Sequence, residues 1–211
     1  MAIDHATLQY YQRNAEDLVS MYDKAQPHYL SMLMTELRPT TAQLSDQSLQ
    51  VLDVGCGSGR DVAALRAAGV CAWGVDASAR LIAEGTRHYQ LPAACLSTSS
   101  LPRLREINGH YDAVLCSAVL QHIPDADLKL SLQRLCSLCK PGGHILISVP
   151  ARYPVNAEQR DANGRYFAVR PVQTYSDILR NLGMQLQETQ KSTDGLQRPG
   201  IAWQVLLFHR T

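Results

Sequence analysis

The run VLDVGCGSGRD, residues 51–61, constrains this chain more than any other segment. An apolar, β-branched stretch leads into Gly55, Gly57 and Gly59, and helix-compatible residues follow from about Arg60. Glycines at alternate positions let a chain bend sharply after a strand and bring backbone N–H groups close to a ligand. A helix starting at that bend adds the positive end of its dipole, so negative or polar ligand groups are favoured there. Strand, glycine turn and helix in that order predict the first unit of a parallel α/β sheet with a nucleotide-like ligand at its edge. The plainer alternative is a tight strand-to-helix turn without a ligand.

Asp76 closes the next apolar run, twenty-one positions after Gly55. A carboxylate at the end of a second strand can accept both hydroxyls of a ribose. Alone it would read as a solvated strand-end acid; beside the glycine turn it points to a nucleotide site. The dinucleotide fingerprint requires a third glycine three residues after the second, and Arg60 occupies that position. The spacing here is G-x-G-x-G, which argues against NAD.

The rest of the chain organises around this unit as one domain. Its 211 residues are 45% hydrophobic and 18% charged, enough to bury a substantial core. Strands are predicted at about 49–54, 70–75, 93–97, 112–117, 143–149, 184–190 and 201–209, with helical patterns between the first five. Leu8, Tyr11, Ala15, Leu18 and Tyr22 recur at steps of three and four and predict one amphipathic helix. A second helix follows Pro27 on Leu30, Leu33, Met34 and Leu37, stopping near Pro39, and a polar connector fills 39–48. Another helix runs through Leu128, Leu132, Leu135 and Cys139, and one near 174–182 ends at Gly183. The last two strands flank a short turn and pair antiparallel. Three parts result: a helical cap over 1–48, a ligand-binding core over 49–150, and a substrate-side loop with C-terminal strands over 151–211. The irregular stretch 152–173 exceeds an ordinary connection, and loops that long are often functional.

Twenty Lys plus Arg against nineteen Asp plus Glu leave a net charge of +1, so no global field draws the chain onto nucleic acid or anionic membrane. No apolar run approaches the length of a membrane span, and the first twenty residues lack the pattern of a signal peptide. A cytoplasmic location is expected, with the six cysteines as reduced thiols. Cys136 and Cys139 form C-x-x-C, but no second pair of ligands accompanies them, so packing rather than metal binding is expected.

Four segments, LDVGCGSGRD (52–61), GVDAS (74–78), YDAVLCSAVLQHIPD (111–125) and KPGGHILISVP (140–150), resemble the class I S-adenosylmethionine-dependent methyltransferases in content and order. That resemblance implies a doubly wound α/β fold: a seven-stranded, mostly parallel sheet with one antiparallel strand and an N-terminal helical lid. It also implies methyl transfer from S-adenosylmethionine, by in-line displacement, to a small-molecule acceptor. By motif position Gly55, Cys56 and Gly57 would lie along the methionine half of the cofactor. Asp76 would hold the ribose, Ala77 and Leu81 would border the adenine, and Asp53 would organise the turn. Similar proteins often carry an aspartate four residues before the Leu-Pro that follows the third strand; here that residue is Ser97. Thr98 and Ser99 are left to supply hydroxyls and N–H groups to the purine edge.

His122 is the candidate general base, because its segment faces the substrate side in similar proteins and imidazole titrates near neutrality. Packing beside the cofactor is the other reading. Tyr11 sits on the lid helix, either over the cofactor or in the core. Arg152, Arg160, Arg165 and Arg170 outnumber Glu158 and Asp161 in the long segment, and Arg198 lies in the late turn. Their planar forks suit an anionic group on the acceptor; a solvated basic loop is the alternative. A non-catalytic module that binds the cofactor as a sensor or partner subunit would share every one of the binding features.

Overall fold

The computed structural model describes residues 4–25, 29–37 and 49–211. Its seven strands are β1 (Gln50–Val54), β2 (Cys71–Asp76), β3 (Leu96–Thr98), β4 (Tyr111–Ser117), β5 (Cys139–Arg152), β6 (Met184–Thr193) and β7 (Ala202–Arg210). They form one sheet in the order β3-β2-β1-β4-β5-β7-β6. The strands from β3 to β5 in that order run parallel, and β7 inserts antiparallel between β5 and β6. The order reverses between β1 and β4, which opens a crevice at the carboxyl ends of those strands.

Strand residues alternate between two apolar layers, as the two-residue repeat of a strand requires. Leu52, Val54, Val114 and Cys116 pack with Leu132 and Leu135 of α6 (Asp125–Leu138) and with Tyr175 and Leu179 of α7 (Val172–Arg180). Val51, Ala113 and Leu115 face the opposite layer, against Val62 and Leu65 of α4 (Arg60–Ala67) and Leu33 of α3 (Tyr29–Glu36). A smaller cluster joins Leu81 of α5 (Ala79–His88) to Ala15, Leu18 and Val19 of α2 (Ala15–Asp23). This last contact seats the cap over the crevice.

Several expectations shift. The single N-terminal helix is divided into α1 (His5–Arg13) and α2. Asn14 lies between them at φ −104°, ψ 18°, and its side-chain amide donates to the Tyr10 carbonyl at 2.8 Å. An asparagine that bonds back to the preceding turn competes with the regular helix. The predicted stripe divides with it: Ala15 and Leu18 are buried, while Leu8, Tyr11 and Tyr22 line a cavity. Strand β3 lies later than 93–97, because its register is set by pairing with Gly74, Val75 and Asp76. Cys139, expected to close a helix, is extended at φ −85°, ψ 135° and starts β5. Pro141 disfavours helix in the residue before it, so the turn of direction comes early. The connector at 39–48, with Pro27 and Pro39, lies outside the described residues.

All six cysteines are free thiols. Burial pushes Cys136 and Cys139 up to about 11 and about 12. Among the described residues no helix is long and apolar enough to cross a membrane.

Candidate active site

A cavity of about 470 Å³ lies at the carboxyl ends of β1, β2 and β4, beneath α1 and α2. Its floor is the glycine turn. Gly55, Gly57 and Gly59 have φ of +75°, +57° and +77°, a region that side chains with a Cβ rarely adopt. The amides of Gly55 and Cys56 both donate to the Val75 carbonyl, at 2.7 and 3.0 Å, which anchors the turn to β2. A Cβ on Gly55 would collide with Val119, and one on Gly57 would occupy the space between Leu81 and Tyr22, two cavity-lining residues.

Asp76 stands beside this turn. Its two carboxylate oxygens accept from the Gly57 amide at 3.0 Å and the Ser78 amide at 2.8 Å. Each oxygen keeps acceptor capacity for a ligand hydroxyl. Burial pushes this carboxyl up, and the backbone N–H groups oppose that. Ser78 caps α5 by accepting from the Leu81 amide at 3.2 Å, so Ala77 and Leu81 are carried onto the cavity wall. Ser99 lines the wall as well, its amide donating to the Asp76 carbonyl at 3.0 Å. Thr98 is exposed and is not among the lining residues. It still belongs to β3, and the chain reaches the cavity only past the strand end. Cys56 is buried, and desolvation pushes its thiol well above the ordinary range, so it has no thiolate character.

The two residues that end the motif hold the cap, a role the sequence alone did not reveal. Arg60 Nε donates to Asp61 at 2.7 Å, and Arg60 Nη2 donates to the Tyr29 hydroxyl at 3.0 Å. That hydroxyl in turn donates to Asp61 at 2.5 Å, and Arg60 Nη1 reaches the Tyr22 carbonyl at 3.3 Å. Asp53 lines the cavity close by, and burial followed by the neighbouring Asp61 charge pushes its carboxyl well up.

At the end of β4, Ala118 at φ +56° turns the chain out of the strand, pinned by its amide to the Ser148 carbonyl at 3.1 Å. The 3-10 turn that follows, Leu120–His122, presents His122. His122 Nδ1 lies 2.6 Å from the Tyr166 carbonyl, which only accepts, so Nδ1 carries the proton. Nε2 therefore accepts from the Tyr11 hydroxyl, at 2.9 Å. Burial lowers the imidazole to about 4 and keeps it neutral. Tyr11 and His122, 111 positions apart in the chain, are thus one unit, and both ring nitrogens of the expected base are engaged.

Of the five arginines expected to bind an anion, four are matched to carboxylates, and Arg152 donates from Nε to the Gly200 carbonyl at 3.0 Å. Arg165 donates to Asp161 through Nε at 2.9 Å and Nη2 at 2.6 Å, and Arg198 donates to both oxygens of Asp194 at 2.8 Å. Arg160 pairs with Asp4 and Arg170 with Asp125. Among the described lining residues, Arg60, Arg165 and Arg198 are the arginines, and each is paired with a carboxylate. Every arginine among the described lining residues thus meets the cavity with a carboxylate already beside it. Aromatic rings line the cavity with them: Tyr153 stacks on Phe167 at 3.7 Å, Trp203 stands edge-on to both, and Tyr10 covers Arg165 at 4.7 Å. Tyr153 and Phe167 sit in the long segment that the sequence marked only for its charges.

The chain belongs to the methyltransferase-domain family, whose model matches residues 22–189. It is 30% identical over 170 residues to a ubiquinone biosynthesis O-methyltransferase of Xanthomonas axonopodis pv. citri, covering 72% of this chain and 69% of that protein. To the enzyme of that name from Acinetobacter baumannii (strain AYE) it is 29% identical over 157 residues, 66% of this chain. There it spans 65% of the relative's length, just under two thirds. Among solved structures, the magnesium protoporphyrin IX methyltransferase of Synechocystis PCC 6803 with bound S-adenosylmethionine superimposes with a TM-score of 0.71 at 20% identity, covering 100% of this chain and 99% of that one. The N-methyltransferase NodS of Bradyrhizobium japonicum WM9, in complex with S-adenosylhomocysteine, gives 0.65 at 18% identity over 98% and 99%. Both likenesses establish the fold.

Proposed function

We propose that this protein binds S-adenosylmethionine at the glycine turn and transfers its methyl group to a hydroxyl of a small, uncharged acceptor with a flat apolar body. The observation that carries this reading is one cavity lined both by Asp76 with the glycine turn and by the Tyr11–His122 pair. The residues fit the cofactor: a turn at which a Cβ on Gly57 would stand between the lining residues Leu81 and Tyr22, a ribose-accepting carboxylate held by two backbone amides, and a second lining carboxylate, Asp53, for a cationic ligand. Gly55, Cys56 and Gly57 would hold the amino-acid arm, Asp76 the sugar, and Ala77, Leu81 and Ser99 the base. When bound, S-adenosylmethionine supplies a methyl group on a sulfonium, and the carbon–sulfur electron pair stays with sulfur as the acceptor oxygen takes the methyl.

The protein's share is placement, exclusion of water and one proton. The Tyr11 hydroxyl accepts from Arg165 Nη1 at 2.9 Å and donates to His122, which leaves one acceptor position on its oxygen for the incoming hydroxyl. A proton leaving the acceptor passes to the Tyr11 oxygen while Tyr11's own proton passes to His122 Nε2. The stacked pair Tyr153 and Phe167, with Trp203, suits a planar acceptor, and the names of the curated relatives support a hydroxyl as the methylated group. Calorimetry with S-adenosylhomocysteine, then transfer of tritiated methyl to a panel of phenols and catechols, tests the reading. Binding with label on the phenol oxygen is the expected result. Binding without transfer to any hydroxyl acceptor would overturn the hydroxyl reading, and absence of binding would remove the proposal altogether.

A further inference from the structure

Arg165 is the hub of the cavity wall beside the Tyr11–His122 pair. It is 6% exposed, and it reaches Asp161 within its own segment, the Tyr11 hydroxyl on α1, and the Tyr153 hydroxyl at 3.2 Å, while its guanidinium lies under the Tyr10 ring. A buried arginine matched to one carboxylate needs no further partner for charge balance. Its bond to Tyr11 is therefore spent on the Tyr11–His122 proton. The hydrogen bonds run one way: Arg165 to Tyr11, Tyr11 to His122 Nε2, His122 Nδ1 to the Tyr166 carbonyl.

We infer that Arg165 is a positioning residue for proton transfer: by donating to the Tyr11 oxygen it turns that hydroxyl toward His122 Nε2, and its charge close by disfavours imidazolium, so Nε2 is left unprotonated and able to take a proton when the acceptor gives one up. The direction follows from Coulomb's law, since a proton added to the imidazole is a second positive charge close to the Arg165 guanidinium. The step balances: one proton enters on the Tyr11 oxygen, one leaves to His122, and the resulting imidazolium later gives it to solvent. The charged and titratable groups facing His122 are Tyr11 from α1, Asp4 just before α1, and Arg165 and Asp161 from the long segment; burial and Arg165 hold the imidazole proton affinity down, while the two carboxylates oppose them.

This inference rests on the functional reading above, yet its test does not need an acceptor. Nitrogen-15 NMR of His122 in the ligand-free protein reads both tautomer and titration. In the native chain the proton is expected on Nδ1; finding it on Nε2 would reverse the chain of donors and overturn the inference without any variant. In Arg165→Met, His122 should bind its proton about tenfold more tightly or better, and Arg165→Lys should recover most of the native titration. Affinity for S-adenosylhomocysteine should change less than about threefold, well under one factor of ten in binding. A merely structural Arg165 would lower the melting temperature of the Met variant and leave the His122 titration where it was, and that result refutes the proposal. Failure to bind S-adenosylhomocysteine, by contrast, sinks the functional reading while the titration still decides the role of Arg165.

Discussion

At the scale of single residues, Gly85 is as demanding as the glycines of the motif. It lies inside α5, and a Cβ there would collide with the backbone carbonyl of Ser58, which has no rotamer with which to yield. Gly85 is what lets α5, with Leu81, approach the glycine turn. Gly85→Ala should cost about 2–3 kcal/mol of stability, as overpacking typically does, and weaken S-adenosylhomocysteine binding. Gly69 is the control: it has φ +84° and no atom within 4 Å of the point a Cβ would occupy, so Gly69→Ala should cost only about 1–2 kcal/mol from the left-handed backbone. Equal melting temperatures for the two variants would refute the packing argument. His122 makes a second prediction. Its folded-state value of about 4 lies below the ordinary 6.5, so the unfolded chain takes up the proton first as pH falls. The stability that a neutral, buried imidazole contributes is complete above pH 6.5 and is lost progressively toward pH 4, roughly 3 kcal/mol at ~1.4 kcal/mol per pH unit. Chemical denaturation of His122→Gln should give a shallower fall over that window than the native protein; parallel curves would sink the idea.

At the scale of elements, α1 is held less by its own sequence than by the long segment before α7. Asp4 caps α1 by accepting from the Thr7 amide at 2.8 Å and also pairs with Arg160 at 2.9 Å, which holds its carboxyl well below the usual range. The Thr7 hydroxyl accepts from the Tyr166 amide at 2.8 Å, and Tyr11 meets Arg165. Arg160 is one-third exposed at its side chain, so its ion pair contributes at most about 1 kcal/mol. Arg160→Ala should therefore barely move the melting temperature but speed hydrogen exchange in His5–Arg13. Asp4→Ala should speed it further, by the loss of a cap worth about 1 kcal/mol. Unchanged exchange in both variants would show that α1 is anchored elsewhere. These ties also mark where the sequence stopped being legible. The strands were readable because apolar repeat and β-branched residues are local, and Gly55, Gly57 and Asp76 because the turn and its strand end are twenty-one positions apart at most. Tyr11 finds His122 across 111 positions and Arg165 across 154, pairings that no periodicity encodes. The basic count of residues 152–173 suggested an anion site because the acids that neutralise it, Asp4 and Asp125, lie far away in the chain.

For the molecule as a whole, the relevant quantity is the distribution of charge along the cavity rather than the net +1 of the chain. Three arginine–carboxylate pairs, Arg60–Asp61, Arg165–Asp161 and Arg198–Asp194, balance one another along its walls. Asp53 and Asp76 then remain as the described lining acids without an arginine partner. Those two acids favour a ligand with a cationic arm. Without a cation, burial and the Asp61 charge push the Asp53 carboxyl well above the ordinary carboxylate range. An ammonium group arriving beside Asp53 favours the ionised form and expels the carboxyl proton. Binding of S-adenosylhomocysteine should accordingly release protons as the pH is lowered from neutral, read by calorimetry as an enthalpy that changes with the ionisation enthalpy of the buffer. In Asp53→Asn the buffer dependence should vanish while the Asp76 contacts persist. An enthalpy identical in all buffers for the native protein would mean that Asp53 is already ionised, and that the cavity meets the cationic arm with a charge it carries before binding.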